Sequence, residues 1–314
     1  MLELITTRHQ PRLSRLFSRL FATSSRLLLL PLLLPAQSLD PSADFQRATR
    51  LATAGRLDEA IALYERLAGA YPGNTAVLAN LGIAEYKATH YQAAEGRFRA
   101  LLRIEPESWV GRLFLGGSLL KQGNHAAALP FLEQAVAAQP ADRNARTLLG
   151  QALMAGGRPK DAAIHLRAAL ERAPADESIR TQLVLALYDA NDAPAGLRYA
   201  KEALDTHPAS AEWYFLYGAG LLEAQQVEGA IAHLEKAVKL DPKHETAHAA
   251  LGRAYLESGE PGKAIPHLKA ALAPDPDGSR HYQLVRALQA AGRKEEAAAA
   301  LREYQARRNS APAR

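Results

Sequence analysis

Residues 251–276 read Leu251-Gly252-Arg253-Ala254-Tyr255-Leu256-Glu257-Ser258-Gly259-Glu260-Pro261-Gly262-Lys263-Ala264-Ile265-Pro266-His267-Leu268-Lys269-Ala270-Ala271-Leu272-Ala273-Pro274-Asp275-Pro276. Two stretches of helical character meet at Gly259, whose freedom to turn left-handed suits the end of the first. Pro276 cannot continue a helix and closes the second. The same grammar recurs outward from this stretch. Pro72, Pro106, Pro140, Pro174, Pro208, Pro242 and Pro276 stand 34 residues apart. Twelve residues before them lie Ala60, Ala94, Ala128, Ala162, Gly196, Ala230 and Ala264. Another twelve earlier lie Ala48, Gly82, Gly116, Gly150, Val184, Gly218 and Gly252. Small side chains at two sites per period let paired helices approach closely. An apolar column, Leu81, Leu115, Leu149, Leu183, Tyr217 and Leu251, precedes the second set by one residue. The unit is a helical hairpin that cannot bury its apolar stripe alone and must stack on copies of itself.

Composition agrees. The 314 residues are 48% hydrophobic and 23% charged, which is globular rather than disordered, and only 6% are aromatic, so helix is favoured over sheet. There is no cysteine, which excludes disulfides, thiolate metal sites and a cysteine nucleophile. The net charge of +5 belongs mainly to the N-terminus. Setting aside its five arginines and Glu3 leaves 33 basic against 32 acidic side chains. A nucleic-acid binder needs a basic stripe on its folded part, so nucleic acid is excluded as a partner.

Residues 1–38 form a leader. Arg8, Arg12, Arg15, Arg19 and Arg26 precede Leu27-Leu28-Leu29-Leu30-Pro31-Leu32-Leu33-Leu34-Pro35, followed by Ala36-Gln37-Ser38. A basic region, a short apolar run and small residues read as a secretory signal peptide, with processing near Ser38 and a periplasmic or secreted product. The apolar run is too short for a membrane span of about 20 residues, so membrane contact is expected only through an uncleaved leader. Two alternatives stand beside export. Leu13, Leu16, Phe17 and Leu20 share a helical face opposite arginines, as in an organellar transit peptide, or the leader is an unprocessed tail on a cytoplasmic protein.

The segments Leu251-Gly252-Arg253-Ala254-Tyr255, Ala264-Ile265 and Pro276 resemble the tetratricopeptide repeat (TPR) family, with its Leu-Gly-x-x-Tyr…Ala…Pro pattern. The resemblance covers residues 41–310 in eight units starting near 41, 75, 109, 143, 177, 211, 245 and 278, with 311–314 left as a tail. It implies an all-α, right-handed superhelical solenoid of about eight helical hairpins. It also implies a non-enzymatic scaffold whose concave face, lined by the first helix of each hairpin, binds a protein or peptide partner, here in envelope assembly or secretion. The family's concave positions fall on Phe45, Asn80, Ile83, Tyr86, Leu113, Phe114, Leu120, Asn144, Gln151, Met154, Gln182, Leu185, Tyr188, Phe215, Leu222 and Tyr282. Some members clamp a C-terminal carboxylate with Lys and Asn. Asn80 matches one such place, but Phe45, Thr49, Val110 and Phe114 cannot supply the rest. The lining suits an apolar or helical ligand carrying a few amides, with Phe114 and Tyr188 as aromatic anchors.

The fifth unit departs from the pattern. It has Val184 and Gly196 in the small columns, Asn191 for the interhelix glycine, and Ala200 where other units carry Phe98, Leu132, Leu166 and Leu234. Losing a buried Leu-sized contact costs about 2–5 kcal/mol. This reading makes unit five the weakest stack and a candidate hinge, with harmless sequence drift as the alternative.

Three motifs suggest other chemistry. His244-Glu245-Thr246-Ala247-His248 has the H-E-x-x-H spacing of zinc peptidases. His244 stands in the linker after Pro242, and Gly252 already belongs to the small column, so a zinc metallopeptidase is the weaker alternative. His165, His233 and His267 share one repeat position on second helices and read as helix-face histidines. Gly259-Glu260-Pro261-Gly262-Lys263 lacks the spacing and the following Ser/Thr of a phosphate loop. The sequence therefore assigns no catalytic, metal or cofactor residue and no small-molecule substrate.

Overall fold

A computed structural model describes residues 40–310, apart from 274, 276 and 277. The leader, the tail and the seventh proline, Pro276, lie outside the described residues. Among those described there are sixteen α-helices and no strand: α1 (Pro41–Thr53), α2 (Leu57–Ala70), α3 (Thr75–Lys87), α4 (Tyr91–Ile104), α5 (Trp109–Lys121), α6 (His125–Ala138), α7 (Arg143–Ala155), α8 (Pro159–Arg172), α9 (Glu177–Asp189), α10 (Ala193–Thr206), α11 (Ala211–Glu223), α12 (Val227–Leu240), α13 (Glu245–Glu257), α14 (Pro261–Ala270), α15 (Ser279–Ala290) and α16 (Lys294–Ser310). Odd-numbered helices are the first, and even-numbered the second, of each 34-residue period. The chain divides into two compact units between Gly156 and Gly157. In the first, α1–α7 pack each on the next, and α1, α3, α5 and α7 also form a row of first helices. In the second, α8–α16 do the same, with α9, α11, α13 and α15 as the row. The all-α array of stacked hairpins stands.

Seven of the eight first helices start on a side chain that accepts a backbone N–H two or three residues on. Asp40 accepts from Ser42 and Ala43, Asn74 from Val77, Ser108 from Gly111, Asp142 from Ala145, Asp176 from Ile179, Ser210 from Trp213 and His244 from Ala247. The caps are 34 residues apart and satisfy donors that a helix leaves unpaired. At the eighth place stands Gly278, with φ +74° and no side-chain cap. Asp275 substitutes from upstream, accepting from the N–H groups of Arg280 and His281. It also holds His281 Nδ1 at 2.5 Å, with both side chains buried.

The turn inside each hairpin needs one left-handed residue, and Gly55, Gly123, Gly157, Gly259 and Gly292 supply it. Thr89, Asn191 and Gln225 take the same conformation, at φ +64°, +59° and +59°. Asn tolerates this, whereas β-branched Thr89 stores strain of roughly 1–2 kcal/mol.

Packing inside the hairpins explains the small column. A Cβ on Gly82 would lie 2.7 Å from Phe98 Cζ, and one on Gly116 would lie 2.6 Å from Leu132 Cγ. Gly218 faces Leu234, and Gly252 faces Leu268, in the same way. A bulky residue on the second helix thus fills the notch left by glycine on the first. In the fifth period the partners are exchanged: Val184 is on the first helix and Ala200 on the second, both fully buried in one cluster with Ala203, Trp213 and Leu216. The Tyr188 ring lies against Gly196 and Gly220, and its hydroxyl donates to the Leu216 carbonyl at 3.0 Å. The expected missing contact at Ala200 is therefore corrected. The volume has moved across the interface, which removes the missing contact as a ground for reading unit five as the weak stack, while Gly196 in the second helix and Asn191 at the turn remain.

Candidate functional site

The first-helix faces carry the candidate residues, and the structure sorts them by depth. In the first unit Asn80, Ile83, Leu113, Phe114 and Leu120 are buried, while Phe45, Tyr86, Asn144, Gln151 and Met154 are half-buried. In the second unit Leu222 is buried, and Gln182, Tyr188 and Phe215 are half-buried. Leu185 at 42% and Tyr282 at 48% are open.

Phe114 corrects an expectation. Only 4% exposed, it stacks on Phe98 with centroids 5.4 Å apart and meets the edge of Tyr86 at the same distance. It is a core ring, closed over by α3 and α4, and offers no open anchor. Tyr188 is committed inward too, through its bond to Leu216 and its seat on two glycines. Burial, with Tyr217 adding to it, holds the Tyr188 phenol well above its ordinary pKa, so it stays neutral. Asn80 donates to the Ala76 carbonyl at 2.9 Å, while its Oδ1 is buried without a partner.

What remains accessible is mixed. Phe45 packs edge-on to Tyr64, leaving part of its ring open, and Met154 stands beyond it in the same row. In the second unit Phe215 rests against His244 at 5.1 Å and Tyr282 against Tyr304 at 5.5 Å. Leu185 and Tyr282 are among the few large apolar side chains exposed anywhere in the described chain. Within each unit such a face can dock apolar side chains, with Asn144 and Gln151 as the amides of the first unit and Gln182 as that of the second.

The H-E-x-x-H residues have structural duties. His244 Nδ1 caps α13, and its Nε2 contacts Glu212 at 3.1 Å. His248 Nε2 donates to the Pro242 carbonyl at 3.1 Å. Arg146 and Arg180, at the same repeat position, donate to Pro140 at 2.5 Å and Pro174 at 2.7 Å. Both histidines thus follow repeat positions that acceptor caps and arginines occupy elsewhere. Sequence reasoning missed these cap and clamp columns. The signal was present as a 34-residue step of acceptors two residues after each of the first six prolines.

Comparison with known proteins matches this geometry. Tetratricopeptide repeat models match residues 33–75, 79–143 and 181–245, a second such model matches 119–183 and 221–286, and a third matches 279–303. No curated protein matches the chain. Among solved structures, a tetratricopeptide repeat protein from Parabacteroides merdae aligns with TM-score 0.58 at 15% identity, over 79% of this chain and 98% of its own. The APC/C hetero-tetramer Cut9–Hcn1 aligns with TM-score 0.57 at 19% identity, over 81% of this chain and 50% of that one. MamA from Desulfovibrio magneticus aligns with TM-score 0.50 at 23% identity, over 53% and 94%. At these identities the likeness shows the fold. With the first model alone matching more than half its length, the chain belongs to the tetratricopeptide repeat family.

Proposed function

We propose that this chain is a non-enzymatic interaction scaffold that binds a protein or peptide partner on its first-helix faces and works after export. The observation that carries the reading is the exposure of Leu185 and Tyr282 on first helices whose other apolar residues are mostly withdrawn from water. Exposed large apolar groups on an ordered face suit a docking surface, and a buried aromatic or aliphatic anchor typically carries at least about 2 kcal/mol of binding. The balanced charge of the array gives weak long-range steering, so affinity rests on desolvated contacts. Among the solved relatives, Cut9 is found assembled with Hcn1, a precedent for a partner held by this fold.

The partner should be captured from native extract on the wild-type chain and then challenged with Leu185→Asp and Tyr282→Asp variants. Retained melting with at least about tenfold weaker capture supports the reading. Wild-type capture by both folded variants moves the binding surface elsewhere. Export rests on the leader's basic, apolar and small-residue order. N-terminal sequencing of the native protein should begin near residue 39, and an intact leader would make the protein cytoplasmic or anchored.

A further inference from the structure

Two histidines that the sequence places in unrelated motifs meet in the seventh period. His248, on α13, and His267, on α14, bring their Nδ1 atoms to 2.9 Å, with the rings stacked at 5.2 Å. The arrangement departs from that of two other second-helix histidines. His233, at the repeat position of His267, turns Nδ1 to the Gly229 carbonyl four residues back at 2.8 Å, and His207 does the same toward Ala203 at 3.2 Å. His267 instead aims Nδ1 across the hairpin.

His248 is held ready for this. A carbonyl can only accept, so the contact with Pro242 places the His248 proton on Nε2 and leaves the Nδ1 lone pair facing His267. An imidazole oriented by donating its other nitrogen to a backbone carbonyl is the usual outer support of a metal ligand. His267 is fixed on its other side by Tyr255, stacked at 5.9 Å. The Tyr255 hydroxyl donates to Glu235, so a carboxylate stands beside the pair, while Lys263 lies over the Tyr255 ring and is paired with Glu260.

We propose that His248 and His267 form a two-imidazole site for a borderline divalent transition metal, with Cu2+ preferred over Ni2+ and Zn2+. At metal–nitrogen bonds of about 2.0–2.1 Å, donors 2.9 Å apart subtend about 90° at the ion. That angle suits adjacent positions of a tetragonal Cu2+ or Ni2+ centre better than a tetrahedral one, and the divalent series places Cu2+ highest. Among the described residues no group of three or more His, Asp or Glu gathers around a metal position, so water or a partner's side chain completes the coordination. On binding, His267 releases its Nδ1 proton to solvent and takes one up at Nε2, remaining a neutral imidazole, and the ion replaces the Nδ1 hydrogen bond as the bridge between α13 and α14. The site is separate from the H-E-x-x-H reading, because His244 remains a helix cap.

The test is a Cu2+ titration of the full, tag-free chain at pH 7.5, followed by electron paramagnetic resonance. One equivalent with an axial spectrum coupled to two nitrogens is expected, together with paramagnetic broadening of amide signals around residues 248 and 267. His267→Gln should weaken binding by at least about tenfold and remove the two-nitrogen coupling. His233→Gln, at the equivalent position one period earlier, should leave both unchanged. Absence of the two-nitrogen spectrum in the wild type, or its survival in His267→Gln, overturns the assignment. Broadening in the unaltered chain centred elsewhere overturns it as well, whatever the stability of the variants.

Discussion

Glu85 shows how one side chain can run against the stability of the array around it. Its carboxylate is buried on α3, paired with Arg97 Nε at 3.1 Å, while its second oxygen is buried without a partner. Burial raises its pKa more than Arg97 and the more distant His90 lower it, and Glu65 adds repulsion. The native state therefore keeps a proton that the unfolded chain releases nearer the ordinary carboxylate value of about 4.3. Stability from this group is full below the unfolded value and is lost as pH rises through the raised, folded one. Glu85→Gln should stabilise the chain at pH 8 while changing it less at pH 4. Denaturant melts at the two pH values check this, and an equal effect at both would show that folding leaves the Glu85 pKa unshifted. Arg97 retains Glu65 in the variant, so no lone buried cation offsets the gain.

At the scale of the hairpin, the exchange of Val184 with Ala200 makes a quantitative prediction. Val184→Gly should cost about 2–3 kcal/mol, combining a cavity with the poor helix propensity of glycine. Ala200→Leu should cost about 1–3 kcal/mol by overpacking against Val184. The double variant rebuilds the Gly–Leu pairing of the neighbouring periods, so its loss should be at least about 1 kcal/mol smaller than the sum. Thermal and urea melts of the four proteins complete the cycle, and simple additivity would refute the exchange.

The hairpins themselves were legible in the sequence, because a proline every 34 residues and two small columns are marks of chain geometry. The cap column was harder to read, since Asp, Asn, Ser and His share only an acceptor atom and not a residue type. Depth on the first-helix face was harder still. Repeat position shows which way Phe114 points, but its burial depends on Phe98 and Tyr86 closing over it, each on a different helix. Ala200 misled for a related reason. A missing side chain was visible in one column, and its replacement stood sixteen residues earlier in another.

Over the whole molecule, stability in a stacked array is a sum of units and nearest-neighbour contacts, so openings stay local. With its interior filled, the α9–α10 hairpin should exchange amide hydrogens about as slowly as α11–α12. The vulnerable place is the last hairpin, where Asp275 substitutes for a cap and pairs with His281 Nδ1. Asp275→Ala removes those acceptors and leaves a buried imidazole nitrogen unpaired, a loss of about 1–3 kcal/mol. Hydrogen exchange should then show α15 and α16 opening earlier while α3–α6 keep their protection. Accelerated exchange throughout both compact units would mean that the array unfolds as a single cooperative body.

The exchanged pair in the fifth period also has a meaning for how the chain finds its fold. Repeats built alike can be mistaken for one another, during synthesis or between two copies of the chain, and such cross-pairing is a characteristic failure of arrays. Gly82, Gly116, Gly218 and Gly252 would each accept a foreign leucine, so those hairpins are interchangeable at this contact. Val184 would collide with any of those leucines, and Ala200 would leave a void against any of those glycines. Inverting a single pair thus gives one hairpin a private address, and a chain that threads its neighbours in the wrong order meets a steric error at that point.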